Sequence, residues 1–417
     1  MVSLRNLLSF ERVGPYVRHA VRIASPRVVL PALMNFQLTP EQETFRDAVR
    51  GFAERHLLQG ALARAQEPQH PWDVAKLMAE QGLLGITISE KDGGLGGTLM
   101  DAVIAIETVA QVCPRSADVV QAGNFGAIRV LAEYGTIDQK KRYLERLLTG
   151  EGVICVGMTE PEAGSAVTDL KTTATPDGDG YRVNGSKIFT THASYADVMV
   201  TYVRYGPGVN GIGSVLVPLK DEGVKQGKPS LFLNGEEWVT TWFDNVYVPP
   251  ENVLLKEGGF RKQIAGFNVE RIGNTARSLA LGRYCYETAR QWAMTRTQFG
   301  RQLAEFQGLQ WKFADMKVKL DAGQLLLYRA ALNADRGMPS AEDTAIAKVF
   351  CNQAGFEIAS EAMQIMGGMG YTQDTLVEWC FRKCRGWMIA GGSIEVLKNR
   401  IAESIFERSF SQRPPRA

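Results

Sequence analysis

The stretch Trp387-Met-Ile-Ala-Gly-Gly-Ser-Ile-Glu-Val-Leu-Lys-Asn-Arg400 carries the first chemistry that can be read from the chain. Gly391 and Gly392 precede Ser393, and apolar residues then recur at Ile394, Leu397, Ile401 and Ile405. This is a helix N-terminus with a serine able to cap it, and its free backbone N–H groups attract anionic or electron-rich ligand groups. An ordinary capped helix would look the same. Three other stretches could serve the same ligand. Met158-Thr-Glu-Pro-Glu-Ala-Gly-Ser165 follows a strand and offers hydroxyls and small residues that let backbone N–H groups approach a ring edge or a phosphate. Arg296-Thr-Gln-Phe-Gly-Arg-Gln-Leu303 interrupts a long helical pattern with cationic and aromatic groups, and Gln364-Ile-Met-Gly-Gly-Met-Gly-Tyr371 is a glycine turn between helices. Each on its own reads equally as a strand-to-loop turn, a helix–helix corner or a helix C-cap.

The elements that must position these groups fall into three blocks. From Pro40 to about Leu148 the apolar spacing is helical, as at Phe45, Val49, Phe52 and Ala53. Thr39-Pro40-Glu41-Gln42 supplies an N-cap, a proline at the first helical position and an acidic first turn. The composition then turns β-branched and aromatic in Val153–Gly157, Tyr181–Thr191, Val198–Val203, Gly213–Val217 and Glu237–Val248, with turns expected at Asp177-Gly-Asp-Gly180 and Asn184-Gly185. Such spacing suggests an antiparallel barrel or sandwich. Helical periods return from about Phe260, in Phe267–Thr297, Leu303–Arg336, Ala341–Met366 and Thr375–Arg385, which argues for an antiparallel bundle.

Composition narrows the function. With 417 residues, two or three domains are expected, and a net charge of +2 gives no reason to expect nucleic acid as a partner. No apolar run is long enough for a membrane span. The six cysteines form no CxxC pair and suggest reduced thiols. Neither a Walker A loop nor a GxGxxG between strand and helix is present, and His19, His56, His70 and His192 form no convincing Ser–His–Asp set. Residues 1–33 stand apart, with Arg5, Arg12, Arg18, Arg22 and Arg27 against the single acid Glu11. They read as a transit peptide or as an extension upstream of a natural start at Met34.

In this order the motifs make the chain similar to the acyl-CoA dehydrogenase family, flavoproteins that desaturate acyl-CoA thioesters. The similarity runs from Met34 to about Phe406. It rests on Met158-Thr-Glu-Pro with Ala163-Gly-Ser165, on Asn184-Gly-Ser-Lys-Ile-Phe-Thr-Thr191, on Arg296-Thr-Gln-Phe-Gly300 and on Gln364-Ile-Met-Gly-Gly368. It implies an α+β, mainly α fold: an N-terminal helical domain over 34–153, a middle antiparallel β-barrel domain over 154–260 and a C-terminal four-helix-bundle-like domain over 261–417. It also implies FAD, an acyl-CoA substrate, a homotetramer and an electron-transfer flavoprotein as oxidant. The location it implies is cytoplasmic, of bacterial type, or the mitochondrial matrix if residues 1–33 are a transit peptide. By motif, Met158, Thr159, Gly164 and Ser165 resemble residues lining the flavin ring and pyrophosphate. Phe189 and Thr191 stand where the family sets an aromatic ring and a hydroxyl against the isoalloxazine. Arg296, Phe299, Gln364 and Gly368 resemble contacts to the adenine half made by a neighbouring subunit, and Ser393 and Glu395 fall where the family has flavin-contacting Thr and Gln. Glu162 and Ala166 depart from the usual Gly and Asp of the first motif.

The larger departure is Gly391, where many members carry the catalytic glutamate. Desaturation still needs a carboxylate near Cα to take the α-proton while the β-hydride passes to flavin N5, and a desolvated pocket should raise its pKa. Phe267-Asn-Val-Glu-Arg271 offers one, because isovaleryl-CoA and long-chain members place their glutamate in a similar Glu-Arg pair; the same pair would also suit a solvated first helical turn. Glu270 is therefore read as the base, with Arg271 and Gly391 beside the acyl pocket. Arg115, in Pro114-Arg-Ser-Ala117, resembles the arginine that faces the distal carboxylate in glutaryl-CoA dehydrogenase, or is a surface arginine at a proline-initiated turn. The resulting expectation is dehydrogenation of a branched-chain or dicarboxylic acyl-CoA. An enoyl-CoA reductase, a desulfinase or a non-catalytic flavin scaffold are the alternatives.

Overall fold

The computed structural model of the chain describes residues 36–334 and 338–413. The extension read over residues 1–33 lies outside them. Among the described residues, seven α-helices come first: α1 (Pro40–His56), α2 (Ala61–Gln66), α3 (Trp72–Glu80), α4 (Leu99–Ala110), α5 (Ala117–Ala122), α6 (Ala127–Tyr134) and α7 (Ile137–Leu148). The expected start of α1 is present: Thr39 and Gln42 form a reciprocal capping box behind Pro40, and Val49, Phe52 and Ala53 are buried. Thr98–Asp101 and Thr136–Gln139 cap α4 and α7 in the same way. Eleven of the twelve residues of α4 are buried, so it is the central helix of this layer.

The middle of the chain forms β1 (Ile154–Gly157), β2 (Thr173–Asp177), β3 (Gly180–Thr191), β4 (Val198–Arg204), β5 (Ile212–Pro218), β6 (Val224–Gln226), β7 (Ser230–Leu231), β8 (Glu237–Val248) and β9 (Val253–Leu255). The order is β6-β8-β3-β2-β4-β5-β9, with β1 on β4 and β7 on β8. This corrects the expectation of a closed antiparallel barrel. The path ends on two three-residue strands, β6 and β9, that do not pair with each other, and β1 runs parallel to β4. A second correction concerns Asn184-Gly185, which lies inside β3 at a register shift instead of at a hairpin turn. Gly185 is needed there because its φ is 145° and a Cβ would stand 2.6 Å from Thr172 Cα.

Helices return with α8 (Phe260–Thr295), followed by the hairpin β10 (Thr297–Gln298) and β11 (Arg301–Gln302), then α9 (Gln307–Asn333), α10 (Ala341–Met366), α11 (Leu376–Trp387) and α12 (Ile394–Ile405). The hairpin replaces the expected helix–helix corner. Phe299 and Gly300 have φ of 53° and 78°, as a two-residue turn matched to strand twist requires. Residues of α4, α8, α9, α10 and α11 share one apolar core. Helix α8 is also lined with buried polar groups, Asn274, Thr275, Arg277 and Ser278 among them, and these build the site.

Candidate active site

Gly266, Glu270, Gly273 and Arg277 recur at four-, three- and four-residue steps, so they share one face of α8. That face meets the segment 121–130. A Cβ on Gly273 would come within 3.0 Å of the Phe125 ring, and one on Gly266 within 3.5 Å of Val130. Gly273 therefore lets the segment close on α8, Gly266 lies at ordinary contact distance from it, and Glu270 sits between the two. Gln121 Nε2 donates to Glu270 Oε1 at 3.0 Å. Opposite, Gly126 (φ 71°) begins α6, and a Cβ there would stand 2.8 Å from Glu270 Oε2.

Burial pushes the Glu270 carboxyl up to about 7 from an ordinary 4.5, although the Gln121 amide and the Lys348 and Arg271 charges all favour its ionised form. The residue keeps part of its surface open, although protein surrounds the carboxylate. A raised carboxyl pKa means that the folded chain holds a proton the unfolded chain has lost, so stability falls as pH rises from about 4.5 through about 7. Glu270→Gln removes this term. Urea unfolding should find the variant gaining on the parent by ~1–3 kcal/mol between pH 5 and pH 8, after a discount for partial exposure. A difference that does not change with pH would show that the carboxyl titrates normally.

The Gly391 loop closes the site from the C-terminal side. Arg271 Nε donates to Gly391 O at 3.0 Å, and Lys348 Nζ donates to Trp387 O and Ala390 O at 2.8 and 2.9 Å. Lys348 is fully buried on α10, and burial, helped by Arg271, brings its pKa down to about 7. Gly391 has φ 72°, and a Cβ on it would come 2.7 Å from Asn274 Nδ2. The space below Gly391 is thus filled by a neutral amide, and the carboxylate in the neighbourhood comes from α8.

The groups proposed for FAD occupy four places. Met158, Thr159, Gly164 and Ser165 lie on the loop after β1; a Cβ on Gly164 would meet nothing within 4 Å. Phe189 and Thr191 end β3, and Phe189 holds φ 58° with 52% of its surface exposed beside Trp238, 4.8 Å away. Ser393 caps α12 by accepting from Val396 N, while Glu395 is exposed in its first turn. Arg296, Phe299, Gln364 and Gly368 all face outward, Phe299 with 93% exposure. Open glycine backbone, an uncovered aromatic ring and a helix N-terminus after two left-handed glycines suit a large planar cofactor with a phosphate tail.

Sequence reasoning missed what anchors the first of these places. Glu160 accepts from Lys171 N at 2.5 Å, Thr172 N at 2.9 Å and Lys187 Nζ at 2.7 Å. Glu160 and Lys187 both sit inside the quoted motifs, but nothing in their spacing announced a pair. Glu162, the departure from the usual Gly, makes only an exposed ion pair with Lys171.

Arg115 is not a surface arginine. It is 3% exposed, and its Nη1 donates to Asp118 Oδ2 and Glu236 Oε1, both at 2.7 Å. Lys383 Nζ lies 2.5 Å from Glu236 and 3.2 Å from Asp118, and Arg277 pairs with Asp118. The chain itself thus supplies the carboxylates that Arg115 holds, within a buried group of three cations and two anions.

Three family models match the chain: "Acyl-CoA dehydrogenase, N-terminal domain" over residues 39–151, "Acyl-CoA dehydrogenase, middle domain" over 155–246 and "Acyl-CoA dehydrogenase, C-terminal domain" over 257–406. The "Acyl-CoA dehydrogenase, short-chain specific" of Clostridium acetobutylicum is 34% identical over 378 residues, 89% of this chain and 100% of the relative. The "Caffeyl-CoA reductase-Etf complex subunit CarC" of Acetobacterium woodii is 33% identical over 374 residues, 88% of this chain and 99% of the relative. Among solved structures, a glutaryl-coenzyme A dehydrogenase in complex with glutaryl-CoA superposes with a TM-score of 0.86 at 29% identity, covering 91% of this chain and 98% of that one.

Proposed function

The chain belongs to the acyl-CoA dehydrogenase family, and on that premise we propose that it removes two hydrogens across Cα–Cβ of an acyl-CoA thioester, with Glu270 receiving the α-proton. Members of the family are FAD-binding oxidoreductases. Met158, Thr159, Gly164, Ser165, Phe189, Thr191, Ser393 and Glu395 would hold the cofactor, with Arg296, Phe299, Gln364 and Gly368 contributing from a neighbouring copy. Bound FAD supplies the acceptor for the β-hydrogen and its electron pair. The chain's own part is to hold a carboxylate that is neutral after the step and ionised before it, and a pKa near 7 suits both states at neutral pH. The single observation that carries this reading is the seating of Glu270 between Gln121 and Gly126, beside the Arg271-held Gly391 loop.

The acyl group we favour is branched or dicarboxylic. The cations around Arg115 outweigh Asp118 and Glu236 only in part, since burial brings Lys383 down to about 7, and the fold is similar to that of a glutaryl-CoA dehydrogenase; both support an anion in this region. Arg115 would then act through its field, since its own Nη1 is already engaged twice. Electrons would leave to an electron-transfer flavoprotein, the type of partner named in the caffeyl-CoA reductase relative. That relative also favours a second reading, the reverse reaction, in which the same carboxyl returns its proton to Cα. The homotetramer finds support in Trp311, Val318 and Leu325, which stand seven residues apart on α9 and are 62%, 68% and 49% exposed, as a seam for a second copy would be. Holoprotein that sediments as a monomer would remove this part.

Anaerobic titration of the yellow protein with butyryl-, isovaleryl- and glutaryl-CoA tests the rest. Bleaching of the flavin by at least one is expected, fastest with the branched or the dicarboxylic thioester. Fastest bleaching by butyryl-CoA would replace the substrate assignment, and protein that takes up no flavin would end the whole reading.

A further inference from the structure

Gln121 lies in the last turn of α5, is 5% exposed, and uses its amide on three sides. Nε2 donates to Glu270 Oε1 at 3.0 Å and to Asn274 Oδ1 at 2.5 Å, while Oε1 accepts from Arg277 Nη1 at 3.2 Å. These partners fix which way the amide points. A guanidinium only donates, so it must face Oε1, and the ionised Glu270 carboxylate only accepts, so it must face the NH2 group. The amide therefore cannot turn over without losing its bonds to Arg277 and to the ionised Glu270. On the other side of the carboxylate, Gly126 carries no side chain, and a Cβ there would stand 2.8 Å from Oε2.

We propose that Gln121 is a positioning residue for proton removal: it clamps Oε1 of Glu270 and so presents Oε2 to the substrate. The proposal rests on Glu270 being the base. It assigns a role to a group that acts through Glu270. Its second effect is electrostatic. Its hydrogen bond is the largest of the influences that oppose burial in setting the Glu270 pKa, and the amide that makes it is held from behind by Arg277. The other charges near this carboxylate are Arg271 on its own helix and Lys348 on α10; Arg277 is itself paired to Asp118 on α5, which Lys383 of α11 also approaches.

Two variants separate positioning from mere packing. Gln121→Leu keeps the bulk and removes the donor. Gln121→Glu keeps the acceptor for Arg277 and turns an oxygen towards Glu270. Losing a hydrogen bond to the ionised form raises a carboxyl pKa by about one unit or more. The acid limb of the pH profile of flavin bleaching should therefore move up by about that amount in Gln121→Leu, and further in Gln121→Glu, where two carboxylates meet. Lys348 titrates in the same range, so the profile is paired with an infrared titration of substrate-free holoenzyme. The Glu270 carboxyl band is assigned by its loss in Glu270→Gln, and the same upward shift is expected in it. Rates lowered evenly at all pH values, with the band titrating as in the parent, would overturn the proposal and leave Gln121 a packing residue. Gln121→Met stands in if Gln121→Leu does not accumulate as yellow protein. Full bleaching by Glu270→Gln would instead remove the base assignment itself, so the two failures are told apart.

Discussion

Glu270→Gln should bind acyl-CoA and stay yellow, yet lose flavin bleaching by ~10³-fold or more, at the upper part of the range that a positioned general base contributes. The substitution is mild in shape. The oxygen of the introduced amide can still accept from Gln121 Nε2, and a neutral group relieves the desolvation that raises the carboxyl pKa. Folding and ligand binding should therefore survive while the acceptor for the α-proton is gone. In the parent, bleaching should rise with pH through about 7, because only the ionised carboxylate can take the proton, and the variant should lose that limb along with its rate. The measurement is anaerobic stopped-flow absorbance with the best thioester of the panel. A variant that bleaches within tenfold of the parent would place the base elsewhere.

The vacancy that pointed to Glu270 was legible in the sequence, because Gly391 is a local fact and the Glu-Arg pair at 270–271 is another. The structure gives that vacancy a physical form: Asn274 fills the space where a side chain on Gly391 would go. What surrounds Glu270 was not legible. Gln121 and Asn274 look like ordinary helix residues, and they meet only because their elements cross although the residues are 153 positions apart. Lys348 reads as an unremarked lysine in a helix until α10 is packed against the end of α11. Arg115 shows the same limit from the other side. Its sequence context suggested a carboxylate, and carboxylates are indeed there, but both belong to this chain, to Asp118 and to Glu236, the second 121 positions away. The helical blocks and their caps were readable because apolar period and capping are local. The sheet closure was not, since it depends on how the edge strands β6 and β9 end, and neither hydrogen bonds nor twist over such distances leave a mark on composition.

Glu160→Ala should be the most damaging change outside Glu270. Lys187 is fully buried, and Glu160 Oε1 faces its ammonium at 2.7 Å. Burial alone would raise the Glu160 carboxyl, but Lys187 and the backbone N–H of Lys171 outweigh it and hold the group below its ordinary range. Burial brings Lys187 down to about 8, with Glu160 opposing that fall. Removing the carboxylate strands a buried cation and frees two backbone N–H groups, those of Lys171 and Thr172. Breaking one side of a buried pair costs ~3–5 kcal/mol, which should appear as a lower urea midpoint. The freed N–H groups also close the loop that carries Met158, Thr159, Gly164 and Ser165, so flavin should be lost on desalting, read from its absorbance per chain. A variant as stable and as yellow as the parent would show that the pair does not anchor this loop. The companion double change Glu160→Gln with Lys187→Met separates charge from geometry. It leaves no buried ion and retains an acceptor for the loop N–H groups, so it should recover most of the stability that Glu160→Ala loses, because a buried ion pair replaced on both sides is often neutral to stability. Flavin retention should return with it if the loop needs only the acceptor, and should stay low if the loop needs the carboxylate's two oxygens to hold both N–H groups at once.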